Sequence, residues 1–217
     1  MNSQQSILLR YPSASLLLIQ LLGILLYPFL EDLSRGRAVM GAFGIVVLVA
    51  ALRMVRRSPL IQWIALTLAA CILALTIIGE VRSSPALQLS LAALQAAFYF
   101  YAAASLIAYM MEDQRATTDE LFAVGATFTL LAWAFAYSFV VCQMLLPGSF
   151  AAAIEAEAPR SWVELLFLSF SILSGVGIGD ILPLSPMARA LVMLEQFAGV
   201  MYIALVVSRL IGLTIRR

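Results

Sequence analysis

The chain has no histidine and no lysine; all 13 of its basic side chains are arginine. Without histidine there is no Ser-His-Asp or Cys-His arrangement and no histidine-based metal site. No nucleophile–base pair stands in its place, so an intramembrane enzyme is disfavoured. Cysteine is nearly absent too. Cys71 and Cys142 lie far apart inside apolar runs, which suits small buried hydrophobes and not a disulfide framework. Charge is scarce, at 12% of residues with a net of +1, so there is no basic footprint for nucleic acid. The glycines Gly175, Gly177 and Gly179 lack the G-x-G-x-x-G spacing and the strand–helix setting of a dinucleotide site. There is no internal repeat and no low-complexity segment.

What is abundant is apolar surface. Hydrophobic residues make up 63% of the chain and the mean hydropathy is +1.01. Soluble chains are about 45–50% apolar, so this composition indicates a membrane protein, and the runs that follow are read as spanning helices of an all-α fold. A spanning helix needs about 20 mostly apolar residues. Six such runs are predicted, at 13–30, 38–54, 60–78, 86–111, 121–146 and 187–213. The first is long for a signal-peptide core and lacks a small-residue cleavage site, so it reads as a span. A seventh apolar segment, 162–173, is too short to cross and reads as a re-entrant helix between the fifth and sixth spans. The most polar internal stretch, 112–120, divides a four-helix region, 1–116, from a two-helix region, 117–217. Thr117 or Thr118 is expected to cap the fifth span. Asp119 and Glu120 fall in its first turn, favoured by the helix dipole, in what reads as a solvated charge run.

The chain is organised around the stretch that follows residues 162–173, namely Gly175-Val176-Gly177-Ile178-Gly179-Asp180. Alternating glycines let successive residues take left- and right-handed conformations in turn, so consecutive carbonyls can face one way. A ring of such carbonyls can replace an ion's hydration shell. G-V-G-I-G-D resembles the T-V-G-Y-G-D selectivity filter of potassium channels, with Gly175 in the place of Thr and Ile178 in the place of Tyr. Pro183 follows Asp180 as in the family's G-D-x-x-P, and Gly199 lies at the family's spacing for an inner-helix gating hinge. The run 193–202 is also similar to the inner helix of small bacterial ion channels. The resemblance covers residues 121–217 and implies an outer helix, a pore helix, a filter and an inner helix.

It further implies an ion-binding filter of Ser174, Gly175, Val176, Gly177, Ile178, Gly179 and Asp180, with K+ held at Gly175, Val176, Gly177 and Ile178. One chain carries one filter, and ligands must surround the ion, so a homotetramer is implied: three further copies of this chain in a lipid bilayer. Below the hinge Val200, Ile203, Ala204 and Val207 would line an inner cavity that gates by dewetting. The residues themselves add two carboxylates. Glu195 lies nine positions into the sixth span, about 14 Å deep at 1.5 Å per residue, and ionisable groups at such depth mark function. It is expected behind the filter, accepting from the pore-helix serines Ser169, Ser171 and Ser174 or from filter amides, in support and gating. Glu164, with Trp162 at the start of the short helix, sits where a carboxylate is favoured.

The fourth span carries no charge from 86 to 111, whereas a voltage sensor needs repeated Arg. Its aromatics Phe98, Tyr99, Phe100 and Tyr101 are expected to pack against neighbouring helices. Arginines cluster at Arg10, Arg53, Arg56, Arg57, Arg115, Arg209, Arg216 and Arg217 on one set of helix ends, against Arg35, Arg37, Arg82, Arg160 and Arg189 on the other. By the positive-inside rule both termini are cytoplasmic and the filter faces outward. The expectation is a passive, potassium-conducting cation channel of reduced selectivity, without strong voltage gating, in the inner membrane of a bacterium. It needs no cofactor beyond the permeant ion, no nucleic acid and no soluble ligand. The alternative is a non-conducting channel-like subunit or scaffold.

Overall fold

In hydrocarbon every backbone N–H and C=O must be paired within the protein, which turns long apolar runs into helices. The computed structural model describes residues 11–31, 36–56, 60–82, 84–112, 118–152 and 158–215. It contains seven helices and one two-stranded ladder among those residues. The elements are α1 (Pro12–Glu31), α2 (Gly36–Val55), α3 (Gln62–Val81), α4 (Pro85–Glu112), α5 (Thr118–Leu145), β1 (Phe150–Ala151), α6 (Trp162–Leu173), β2 (Leu182–Pro183) and α7 (Pro186–Ile215). Every apolar run read from the sequence is a helix here, and the short segment ends where expected.

Among the described residues four helices are long and apolar enough to cross a membrane: Gln62–Gly79 in α3, all of α4, all of α5, and Pro186–Arg209 in α7. The apolar stretches described in α1 and α2, Pro12–Tyr27 and Gly44–Val55, are shorter. Arg10, Arg35, Arg57, Arg115, Thr117, Arg216 and Arg217 lie outside the described residues.

The chain divides into two compact units, 1–77 with 101–129, and 78–100 with 130–217. The divisions fall inside α3, α4 and α5. In the first unit α1 packs against α2. The start of α1 is held by a residue distant in sequence: the Ser13 backbone N–H donates to Asp119 Oδ1 at 3.1 Å, and Ser13 Oγ donates to Asp119 Oδ2 at 2.9 Å. The Tyr109 hydroxyl donates to the same Oδ2 at 3.3 Å, and Met54 Sδ lies 3.8 Å from Ser13 Oγ. One end of this unit therefore gathers the start of α1, the end of α2, the end of α4 and the start of α5.

Asp119 does for α1 what an N-cap side chain does, satisfying an orphan N–H of the first turn. This corrects the solvated reading for the end of the charge run, where Asp119 and Glu120 are both buried, while Glu112 is exposed and 113–117 lie outside the described residues. Cys71 also departs from expectation. It is exposed on an outward side of α3, while Cys142 is buried.

The second unit is built on aromatics. Tyr99 of α4 meets Trp133 edge-on at 5.5 Å and stacks on Tyr137 at 5.7 Å, both on α5. Trp133 and Tyr137 in turn hold Trp162, the first residue of α6, at 5.3 and 5.5 Å. Phe98 joins Tyr99, and Phe100 meets Phe135 edge-on at 5.0 Å. Such pairs add to burial because ring edges and faces carry opposite partial charge. Beyond α5, β1 pairs antiparallel with β2, Phe150 opposite Pro183 and Ala151 opposite Leu182. Leu184 N–H donates to Ser149 O at 2.8 Å, and the Ser185 and Ser149 hydroxyls meet at 2.9 Å. Ser185 then caps α7, accepting from Ala188 N–H at 3.1 Å just ahead of Pro186 in the first turn.

Candidate functional site

The site is built from α6, the segment 174–181 and α7. The start of α6 is fixed by a capping box. Ser161 Oγ accepts from Glu164 N–H at 3.3 Å, and Glu164 Oε2 accepts from Ser161 N–H at 2.6 Å. Glu164 Oε1 also pairs with Arg160 at 3.2 Å. Arg160 is clamped to α5, since Gln143 accepts its N–H at 3.0 Å and donates to its carbonyl at 2.8 Å. The S-x-x-E pattern was visible in the sequence; the roles of Gln143 and Arg160 carried no local signal.

Two contacts set direction. Near its start α6 lies beside Gln143, and further along Ser169 Oγ donates to the Ala132 carbonyl at 2.8 Å. Rising numbers on α6 meet falling numbers on α5, so these helices are antiparallel. Ser169 Oγ also shares a hydrogen bond with Glu195 Oε1 on α7, an offset of 26 residues. One turn further Leu173 meets Gly199 at the same offset, so α6 and α7 run parallel. A chain that leaves α6 and enters a parallel α7 must double back between them. It does so through 174–181, which delivers β2 to β1 near the end of α5.

The return begins with a tight turn. Ser171 O accepts from Val176 N–H at 3.1 Å, from Gly177 N–H at 3.0 Å and from Ser174 Oγ at 3.2 Å. Gly175 and Gly177 have φ of +76° and +67°, in the left-handed region that favours glycine. Gly179 does not share it; the change of hand covers two of the three glycines. The Ser171 hydroxyl donates to the Ile178 carbonyl. Ser174 is turned back onto α6 by its bond to Ser171 O and caps that helix. All of 174–180 is exposed, with Val176 at 61% and Ile178 at 68%.

On α7 Glu195 is fully buried, and its Oε2 has no hydrogen-bond partner among the described residues. It meets Ser169 and not an amide of residues 174–180. Ala188, Val192, Glu195, Gly199 and Tyr202 form the buried stripe of α7 at helical spacing. Val200, Ile203, Ala204 and Val207 lie on its exposed side. Gly199 sits hard against the end of α6: a Cβ there would stand 2.9 Å from Leu173 C.

No curated protein and no solved structure matches the chain significantly. The sequence model of the ion channel family Ion_trans_2 matches residues 96–216. The match spans more than half of the chain, from within α4 through α5, α6 and the glycine segment to the end of α7. The chain is an integral membrane protein and belongs to the ion channel family.

Proposed function

We propose that four copies of this chain assemble around an axis into a passive cation channel that conducts K+ with weaker discrimination against Na+ than a T-V-G-Y-G-D filter gives. The observation that carries this reading is an exposed glycine segment with left-handed backbone at Gly175 and Gly177, returning between the parallel helices α6 and α7. Non-helical backbone at membrane depth is tolerated where it is buried in protein or lines a wet cavity. An exposed return segment in one protomer therefore asks for further copies and a water-filled path. In this reading α6 is re-entrant, Gly175, Val176, Gly177 and Ile178 offer carbonyls to K+, and Ser174, Gly179 and Asp180 flank them. Val200, Ile203 and Val207 line the cavity below. Glu195 supports the filter from behind through Ser169, and Glu164 steadies the start of α6.

Reduced selectivity follows from two replacements. Gly175 has no side-chain oxygen, so four chains lose four ligands at the innermost site. Ser174 is turned onto Ser171 O and does not replace them. Ile178 has no hydroxyl to brace the filter. Whether selectivity rests on cavity size or on ligand number is debated; both are weakened here. We place six spans in the bilayer, both termini in the cytoplasm and the filter on the outer side of a bacterial inner membrane. One observation favours the second reading, a non-conducting channel-like subunit: the Ile178 carbonyl accepts from the Ser171 hydroxyl, which competes with an ion for that oxygen.

The test is the reversal potential under K+ inside and Na+ outside, for the native chain and for Gly175→Thr with Ile178→Tyr, alongside native mass spectrometry. The proposal expects a tetramer whose K+ preference sharpens in the double variant. Strong selectivity that the double variant leaves unchanged, or a monomer as the only species, would overturn it.

A further inference from the structure

We infer that Gly199 positions the filter: it is the seat on which the end of α6 rests, and not a bending point of α7. The inference rests on the channel reading of residues 174–180 for its consequence but on packing for its substance. Helix α7 is continuous through Gly199, from Pro186 to Ile215. A Cβ at 199 would stand 2.9 Å from Leu173 C and 3.1 Å from Leu173 Cα, and closer still to Leu173 O. These are backbone atoms, so no rotamer change makes room. The contrast with Gly125 is instructive. Its imagined Cβ meets Leu17 Cδ2, the tip of a flexible side chain, also at 2.9 Å. Gly175 and Gly177 have nothing within 4 Å, so those two serve conformation and not proximity.

Glycine in a helix interior is unfavourable relative to alanine, and the close approach of α6 supplies the compensating reason for it here. The seat is one of two fixed points. One turn earlier on both helices Ser169 and Glu195 are hydrogen-bonded. Two contacts one turn apart hold α6 and α7 in a single register. Leu173 directly precedes Ser174 and Gly175, so its carbonyl is the root of the ligand segment. Any shift of α7 at this level carries the root of the filter with it.

The experiment compares the full chain with Gly199→Ala, Val200→Gly and the pair combined. It reads the thermal midpoint of the assembled protein in detergent and the K+/Na+ permeability ratio in liposomes. A flexible hinge predicts that alanine raises or preserves the midpoint, leaves the permeability ratio native, lowers open probability, and is rescued when glycine is restored one position along. The seat predicts a lowered midpoint or lost assembly and a shifted permeability ratio. It also predicts no rescue by Val200→Gly, because the added Cβ still meets Leu173. Midpoint and assembly are read without conduction, so a protein that passes no ions would count against the channel reading and leave this inference decided by stability. A native or raised midpoint in Gly199→Ala, or rescue by Val200→Gly, would overturn it.

Discussion

Removing the Ser169 hydroxyl should be the most informative small change in the second unit. Ser169 is fully buried and joins three helices, through the Ala132 carbonyl of α5 and Glu195 of α7. In Ser169→Ala the Glu195 carboxyl keeps its burial and loses its partner on Oε1, while Oε2 has none to begin with. An unsatisfied buried polar group costs about 1–3 kcal/mol in soluble proteins. Interhelical hydrogen bonds in membranes couple by about 0.6 kcal/mol on average and at most about 1.7, because the unfolded chain also finds partners. A carboxyl orphaned at both oxygens belongs at the upper end, so Ser169→Ala should cost about 1–2 kcal/mol per chain. Glu195→Met removes the group that needs a partner and leaves Ser169 bonded to Ala132, so it should cost about 1 kcal/mol or less, as similar-volume replacements do. In that background Ser169→Ala should become much milder. The assay is detergent-titrated unfolding of all four proteins followed by tryptophan fluorescence, to which Trp133 and Trp162 in the aromatic cluster contribute. Equal costs of Ser169→Ala in both backgrounds would show that Glu195 does not depend on Ser169.

Three further outcomes are expected. Ser161→Ala should cost about 1 kcal/mol, the usual value of an N-cap, measured by the same unfolding; a changed permeability ratio would mean that the start of α6 acts on the proposed filter at residues 174–180. Asp119→Ala should loosen the first turn of α1, since Ser13 and Tyr109 both lose their acceptor, at about 1–2 kcal/mol; hydrogen exchange of the α1 amides reads it, and unchanged protection would refute the cap. Voltage should alter open probability only shallowly, because α4 carries no charge before Glu112 and each elementary charge moved across the membrane is worth about 2.3 kcal/mol per 100 mV; a steep conductance–voltage curve would contradict this.

Local physics was legible in the sequence and remote pairing was not. Long apolar runs announce helices because hydrocarbon leaves the backbone no other option, and the twelve residues of α6 were bounded correctly by Trp162 and Leu173. Ser161-x-x-Glu164 carries the capping-box pattern in the sequence, of which the dipole argument for Glu164 uses only one half. Asp119 misled, because a charged residue in a polar run looks solvated until Ser13, 106 positions earlier, is brought to it. The ladder of β1 and β2 has two residues a side, too few for any periodicity. Gly199 was visible as a glycine at a familiar spacing, but nothing local shows what a missing side chain makes room for. Cys71 lay in an apolar run whose outward side a sequence cannot assign.

Purified protein in liposomes, loaded with K+ and diluted into Na+ or into an impermeant cation, gives the most direct test of the central claim. The account predicts passive K+ flux that is only partly reduced for Na+, lost when the glycine segment is disrupted by Gly177→Val, where φ of +67° excludes a branched side chain. Flux indistinguishable from empty vesicles, from protein that is folded and assembled, would contradict it.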